Sequence, residues 1–275
     1  MSNALGAAEF RPDSVAAASV DVVVGDEDPT AFFATLGVEL PPLTRATRTV
    51  GGCTVWMCEV EPGYPATDLW QRARGVYERT GLWPVLLGLI EASLNAPGDQ
   101  QVAAAAVQDG RAWLERAQVE GPRDAEGPCD DEDPILLSTY VLTEEDRDYE
   151  GFDWADAWIA VDELEEADRL ALVPAPNPWL VPHLLNWSGA RDFDLDGADH
   201  ATLLRRWAGH WGAELIALSE YELVLRVANP PQDDNEALTV ALEWFLYAPN
   251  LVYKGWGSLD ELKRRVPAPL WRFLW

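Results

Sequence analysis

Lysine is almost missing from this chain: Lys254 and Lys263 are the only two among 20 basic residues, the rest being arginine. Cysteine and histidine, at three each, and methionine, at two, are scarce as well. An odd set of thiols, Cys53, Cys58 and Cys129, does not make a disulfide framework, and a chain of 275 residues does not need one. So few cysteines and histidines also argue against a closed zinc site. Cys53 and Cys58 fall within a probable strand with four residues between them, so their side chains point to opposite faces and read as structural thiols. The longest strongly apolar run, residues 82–90, is far short of the ~20 residues that span a bilayer. The first positive charge is Arg11, and no basic n-region followed by an apolar run opens the sequence. These absences predict a cytoplasmic protein with no membrane partner. P-loop, nucleophile-elbow and zinc-protease motifs are missing too, which leaves no ready-made catalytic or cofactor signature.

Acid is in surplus, with 47 Asp and Glu against 20 Lys and Arg and a formal charge of −27. A field of that sign repels phosphate backbones, so nucleic acid is excluded as an unassisted partner, whereas basic surfaces are attracted. The charge is concentrated. Residues 120–168 hold 19 acidic side chains against Arg123 and Arg147, while residues 254–275 reverse sign. A solvated acidic surface is one explanation, and a docking surface for a basic partner is the other. The dearth of lysine also fits a GC-rich coding bias or salt adaptation, neither of which makes the charge functional. A hydrophobic content of 48% and 14 tryptophans supply ample material for a core.

Local patterns predict an α+β fold with a mixed or antiparallel sheet and helices packed on one face. The N-terminal α/β region, residues 1–119, offers strands at 19–24 and 54–60, a helix opened by Thr30 and stopped by Gly37, and a helix opened by Thr67 and closed by Gly81. Residues 82–90 read as a buried strand with Pro84 near its start, and residues 99–118 as a helix weakened by Gly110. The Gly/Pro/Asp-rich run 120–134 opens an acidic connecting segment, 120–164, in which 135–142 is strand-like and 154–161 reads as either helix or strand. The C-terminal domain, 165–275, begins with an apolar run at 170–173 that leads into an extended connector at Pro174, Pro176 and Pro178.

The last third carries the firmest signals. Asp199 can cap a helix bearing Leu203, Leu204, Trp207 and Trp211, with Gly212 just past its end. Residues 213–218 and 221–227 form a hairpin, ended by Pro230 and Pro231. Asp233 and Glu236 have capping-box spacing ahead of Ala237, Val240, Ala241, Trp244 and Phe245 at helical intervals. Ser258 and Glu261 repeat the spacing, Lys263, Arg264 and Arg265 complement the dipole of that last helix, and an aromatic strand closes the chain. The unit is hairpin–helix–helix–strand.

Those residues resemble the bacterial, chiefly actinobacterial, family called domain of unknown function 4253, over about the last 110 residues. The resemblance rests on Trp187-Ser188-Gly189-Ala190, on Trp207 to Ala213, on Pro230-Pro231, and on Glu236-Ala237-Leu238 with Ala241 and Glu243. Ala248-Pro249-Asn250, Lys254-Gly255 and Trp271 to Trp275 complete it, and residues 80–87 are similar to the N-terminal part of longer members. The family's Cys-Pro-Asp element is replaced here by Ala248-Pro249-Asn250, which removes both reactive groups and fits a helix-terminating turn.

Candidate sites follow from residue type. Glu243, next to Trp244 and aligned with a family glutamate, is the single catalytic candidate, with a structural ion pair to Arg206 or Arg226 as its plainer role. Trp187, Trp207, Trp211, Trp244 and Trp256 could line an aromatic ligand groove or simply fill the core. Asp192, Asp194, Asp196 and Gly197 spell the opening of a calcium loop, but the twelfth position is Leu203 rather than glutamate. No metal and no cofactor is therefore expected. His183, His200 and His210 do not stack as a ligand pair. The functional expectation is a non-enzymatic binding or regulatory protein that engages a basic protein partner through its acidic surface, in the manner of toxin-neutralising proteins by analogy. The alternative is a hydrolase-like enzyme whose cleft lies between the N-terminal region and the C-terminal domain, with Glu243, His183 or Asp194 as polar groups. The oligomeric state is not legible.

Overall fold

A computed structural model describes residues 27–88, 109–121 and 167–275. Three sequence expectations, the strand at 19–24, the helix before Asp109 and the elements of 122–166, lie outside those residues. Seven strands form one mixed sheet in the order β1-β2-β4-β3-β5-β6-β7. They are β1 (Thr44–Arg48), β2 (Thr54–Glu59), β3 (Leu82–Leu87), β4 (Arg169–Pro174), β5 (Ala213–Leu218), β6 (Glu222–Val227) and β7 (Leu270–Leu274). β3 and β5 run parallel, and every other neighbouring pair is antiparallel. The fold is α+β. β4 lies between β2 and β3, so the stretches 1–119 and 165–275 share a sheet rather than owning separate ones.

β3 and β4 are the centre. All six residues of β3 are buried, and its Pro84 sits opposite Leu172 without an N–H to give to the ladder. The edge is different. β1 (TRATR) is largely exposed, carries two arginines and has an irregular register between Arg45 and Thr47. Short length, charge and a bulge are the features by which an edge strand resists further pairing. Such a strand has no apolar alternation, which is why periodicity did not predict it.

Helices α1 (Thr30–Thr35), α2 (Tyr64–Gly75), α3 (Tyr77–Thr80) and α4 (Gly110–Glu120) belong to the first half. α2 begins three residues before the expected Thr67, because Pro65 occupies its first turn, where a missing N–H costs nothing. α1 is capped from Asp28, which accepts hydrogen bonds from the backbone N–H and the hydroxyl of Thr30. Thr30 is thus the first helical residue and not the cap.

In the second half the prolines after β4 do not stay extended. They nucleate a 3-10 turn at Pro178–Leu180 and the short α5 (Val181–Leu184). α6 (Gly197–Trp211), α7 (Asp234–Tyr247) and α8 (Leu259–Arg265) follow, with a π-helical turn at Leu251–Trp256 between the last two. α6 is capped by Asp196, with Asp199 as its capping-box partner, so the cap lies three residues before the expected one. Asp233 and Ser258 cap α7 and α8 as expected, but the capping boxes are not closed, Glu261 turning instead to Arg264 and Arg265. Strand β7 turns Trp271 and Phe273 toward α6 and α7, where Trp207 stacks on Phe273 and Trp244 meets both rings edge-on. Fully burying side chains of this size contributes about 2–3 kcal/mol each, so this aromatic layer fixes the two helices on the sheet.

Candidate functional site

Two polar clusters sit where α6, α7 and the end of β7 meet. α6 places Arg206 and Trp207 on the side facing α7, whose apolar stripe also carries Glu243. One Glu243 oxygen accepts from Arg206 Nε at 3.0 Å and Nη2 at 2.7 Å, and the other accepts from Trp207 Nε1 at 2.8 Å. The Glu243 side chain is 6% exposed against 24% for Arg206. Three charge-assisted or aromatic donors therefore satisfy a carboxylate that would otherwise be costly to bury. Of the two ion pairs expected for it, the one with Arg206 is present; Arg226 instead binds Glu214, which also holds Arg74 of α2.

Two turns nearer the start of α6 lies a pair that sequence reasoning missed. His200 is completely buried, and its Nδ1 is 2.6 Å from the Tyr247 hydroxyl. Trp187 packs on the imidazole with ring centroids 4.9 Å apart, and Trp275 and Tyr247 meet it edge-on. Burial pushes the His200 imidazole down to about 3, against an opposing pull from Asp196. Burial, helped by Asp199, holds the Tyr247 phenol well above its ordinary value. Both partners are thus neutral, and His200 Nε2 faces the aromatic walls without a hydrogen-bond partner. The available signal was spacing: His200 falls three and four residues before Leu203 and Leu204, and Tyr247 three after Trp244, so both lie on buried helix faces.

The remaining candidates scatter. Trp187, Trp207 and Trp244 are core residues, at most 2% exposed. Trp211 and Trp256 are half-buried, and Trp256 lies under the Arg265 guanidinium at 4.7 Å. The five do not form an open aromatic groove. Trp187 donates to the Ser219 carbonyl at 2.7 Å, and a Cβ on Gly189 would lie 2.2 Å from the Trp187 ring, so the Trp-x-Gly-Ala element is a packing device. Asp196 spends its carboxylate on the N–H groups of Ala198 and Asp199, and Asp194 adopts a left-handed conformation with φ 54°. Asp192 lies in the 3-10 turn Arg191–Phe193. Among the described residues no group of three or more His, Cys, Asp or Glu side chains is placed to hold a metal ion.

His183 is half-buried and packs against Gly197 at the start of α6, where burial lowers its pKa and Asp196 raises it. Glu243 meets α6 at Arg206, nine residues further on and roughly 14 Å along the axis. The groups named for a cleft are therefore not gathered at one point. Cys58 is buried in β2, where burial pushes its thiol up to about 11, and Cys53 precedes that strand, half-buried.

Among the described residues no helix is long and apolar enough to cross a membrane. Comparisons with curated proteins and with solved structures returned no match. Residues 169–275, the stretch whose caps, hairpin and aromatic layer build this region, match the family model described as domain of unknown function (DUF4253).

Proposed function

We propose that this is a non-enzymatic binding or regulatory protein that engages a basic protein partner through its acidic surface. One observation carries the reading, the imbalance of charge and its location. Across the described residues 24 acidic side chains meet 17 basic ones, out of 47 and 20 in the whole chain. Most of the net negative charge thus lies in the rest of the sequence, above all in 122–166, where 17 acidic residues accompany only Arg123 and Arg147.

Among the described residues the cations are largely committed to partners within the chain. Arg206 holds Glu243, Arg264 and Arg265 hold Glu261, Lys263 holds Asp234, and Arg272 holds Glu222. The acidic surplus is not neutralised from within, and a field of this sign speeds and orients association with a positive surface. Neutralisation of a basic toxin is one such role by analogy. A hydrolase-like enzyme draws less support, since Glu243 is saturated by Arg206 and Trp207 and lies far along α6 from His183.

The test is capture from a lysate of the source cells, using the whole chain and a variant with the acidic residues of 120–168 changed to Asn and Gln. The expected result is a defined basic protein retained at low salt, released as screening shortens the reach of the charges to about 3 Å near 1 M, and lost with the variant. Capture of nothing at low salt, or capture indifferent to salt and to the variant, overturns the reading.

A further inference from the structure

α7 shows an apolar row on its outer side, beside the exposed Asn235, Glu236 and Thr239. Its inner face buries Ala237, Val240, Ala241, Trp244 and Tyr247, as a helix on a sheet must. Its outer face should then be polar, and α6 obeys that rule with Arg205, Gly209 and His210 exposed. α7 breaks it. Leu238 and Leu242 are 38% and 36% exposed, one turn apart, and Phe245 continues the row only half-buried. Phe245 meets the ring of Tyr253, itself 41% exposed, at 5.7 Å, so the row runs on into the π-helical turn. Residues spaced i, i+4 and i+7 share one stripe, and a contiguous apolar stripe in water marks a contact surface rather than scattered exposure.

We infer that this outer stripe of α7 seats the basic partner, as an amphipathic helix whose apolar side lies on Leu238, Leu242 and Phe245; the inference rests on the function proposed above. Charge selects among occupants. At the N-terminal end of the stripe Asp233 caps the helix and Asp234 holds Lys263, while Glu236 is exposed and in the first turn. That end is acidic. A second copy would bring −27 against −27, and residues 122–166 would bring 17 acidic side chains of their own. A cationic helix is drawn to the Glu236 end of the row, the far end being flanked by the exposed Lys254, and a face read at i, i+4 and i+7 is the usual way such a helix docks.

Two synthetic peptides test this: an 18-residue amphipathic helix of leucine and lysine, and a lysine–glycine peptide of equal charge. Binding to the whole chain is followed by anisotropy at low and high salt, with hydrogen exchange reporting where protection falls. The leucine–lysine peptide should bind at least about tenfold more tightly, a difference worth roughly 1.4 kcal/mol, and protect residues 234–253. L238S/L242S should erase that difference and leave the ionic part, and E236Q should weaken the leucine–lysine peptide several-fold. E236Q alters an exposed side chain and should leave thermal unfolding unchanged; Leu238 and Leu242 are only 38% and 36% exposed, so binding by the double variant is compared well below its unfolding temperature.

The inference is overturned if the double variant keeps the tenfold preference, or if protection falls elsewhere. It is also overturned if the double variant unfolds several degrees lower with binding unaltered, which means the stripe is covered by the chain itself. A concentration-dependent dimer abolished by L238S/L242S makes a second copy the occupant. If neither peptide binds at low salt, it is the acidic-surface reading that fails.

Discussion

Trp207 and Glu243 are joined by a buried hydrogen bond, from the indole Nε1 to Oε2 at 2.8 Å, while the other carboxylate oxygen receives Arg206. The bond fastens α6 to α7 underneath the stacked rings of Trp207 and Phe273. A glutamate with this many internal partners has a structural task. Glu243→Ala strands a buried indole N–H and a partly buried guanidinium, and should lower unfolding free energy by about 3–5 kcal/mol in urea titrations. Glu243→Gln keeps an acceptor for Trp207 and should cost distinctly less. If both variants unfold like the parent, the pair is not what holds α6 to α7.

How much of this could be read beforehand depends on whether the cause is local. Caps are local, and Asp233 and Ser258 sit where their spacing puts them. At α6 two aspartates compete, and the chain uses Asp196 as the cap with Asp199 completing the box. Both lie in one acidic run, so composition could not choose between them. The placement of β4 between β2 and β3 is non-local, created by pairing across more than eighty residues (Leu87 with Arg169), and no periodicity encodes it. Glu243 stands out in the sequence as a carboxylate beside apolar residues, but its ties to Arg206 and Trp207 arise only from the packing of α6 on α7.

His200 gives a pH dependence with a definite sign. An imidazole in the unfolded chain titrates near 6.5, whereas burial holds that of the folded protein at about 3. As pH falls the unfolded state takes the proton first, so the stability that comes from keeping His200 neutral is fully present above 6.5 and drains away toward 3. His200→Asn cannot titrate there. Its stability should fall less steeply between pH 6.5 and 4 than the parent's, by a slope approaching 1.4 kcal/mol per pH unit. Asp196, Asp199 and Tyr247 face the site in both proteins and cancel from the comparison. Parallel slopes would mean that His200 is reached by water.

Glycine positions separate packing from chain freedom. A Cβ at Gly189 would come within 2.2 Å of the Trp187 ring and 2.6 Å of the Glu220 carbonyl oxygen, so Gly189→Ala must push the indole or the β5–β6 turn aside. Strain of that kind costs about 1–3 kcal/mol. At Gly75, the last residue of α2, an added Cβ meets nothing within 4 Å and no positive φ is involved. Gly75→Ala should therefore stabilise by about 0.4–1 kcal/mol through the unfolded chain. Thermal melts of the two variants should move in opposite directions.

Asp199 has two tasks where Asp196 has one. Asp196 caps α6, accepting from Ala198 and Asp199, and its loss should cost about 1 kcal/mol. Asp199 closes the capping box from its Oδ2 and, from Oδ1, accepts the Trp113 indole N–H of α4 at 2.6 Å. Trp113 is 2% exposed, so removing this acceptor takes away a buried hydrogen bond, worth a further 1–3 kcal/mol or so. Asp199→Ala should then be the more damaging of the two, although Asp196 is the formal cap. The excess should also be local. In hydrogen exchange, amides of α4 should lose protection in Asp199→Ala and keep it in Asp196→Ala, because only the first cuts the tie between α4 and α6. Equal loss of α4 protection in both would place that tie elsewhere.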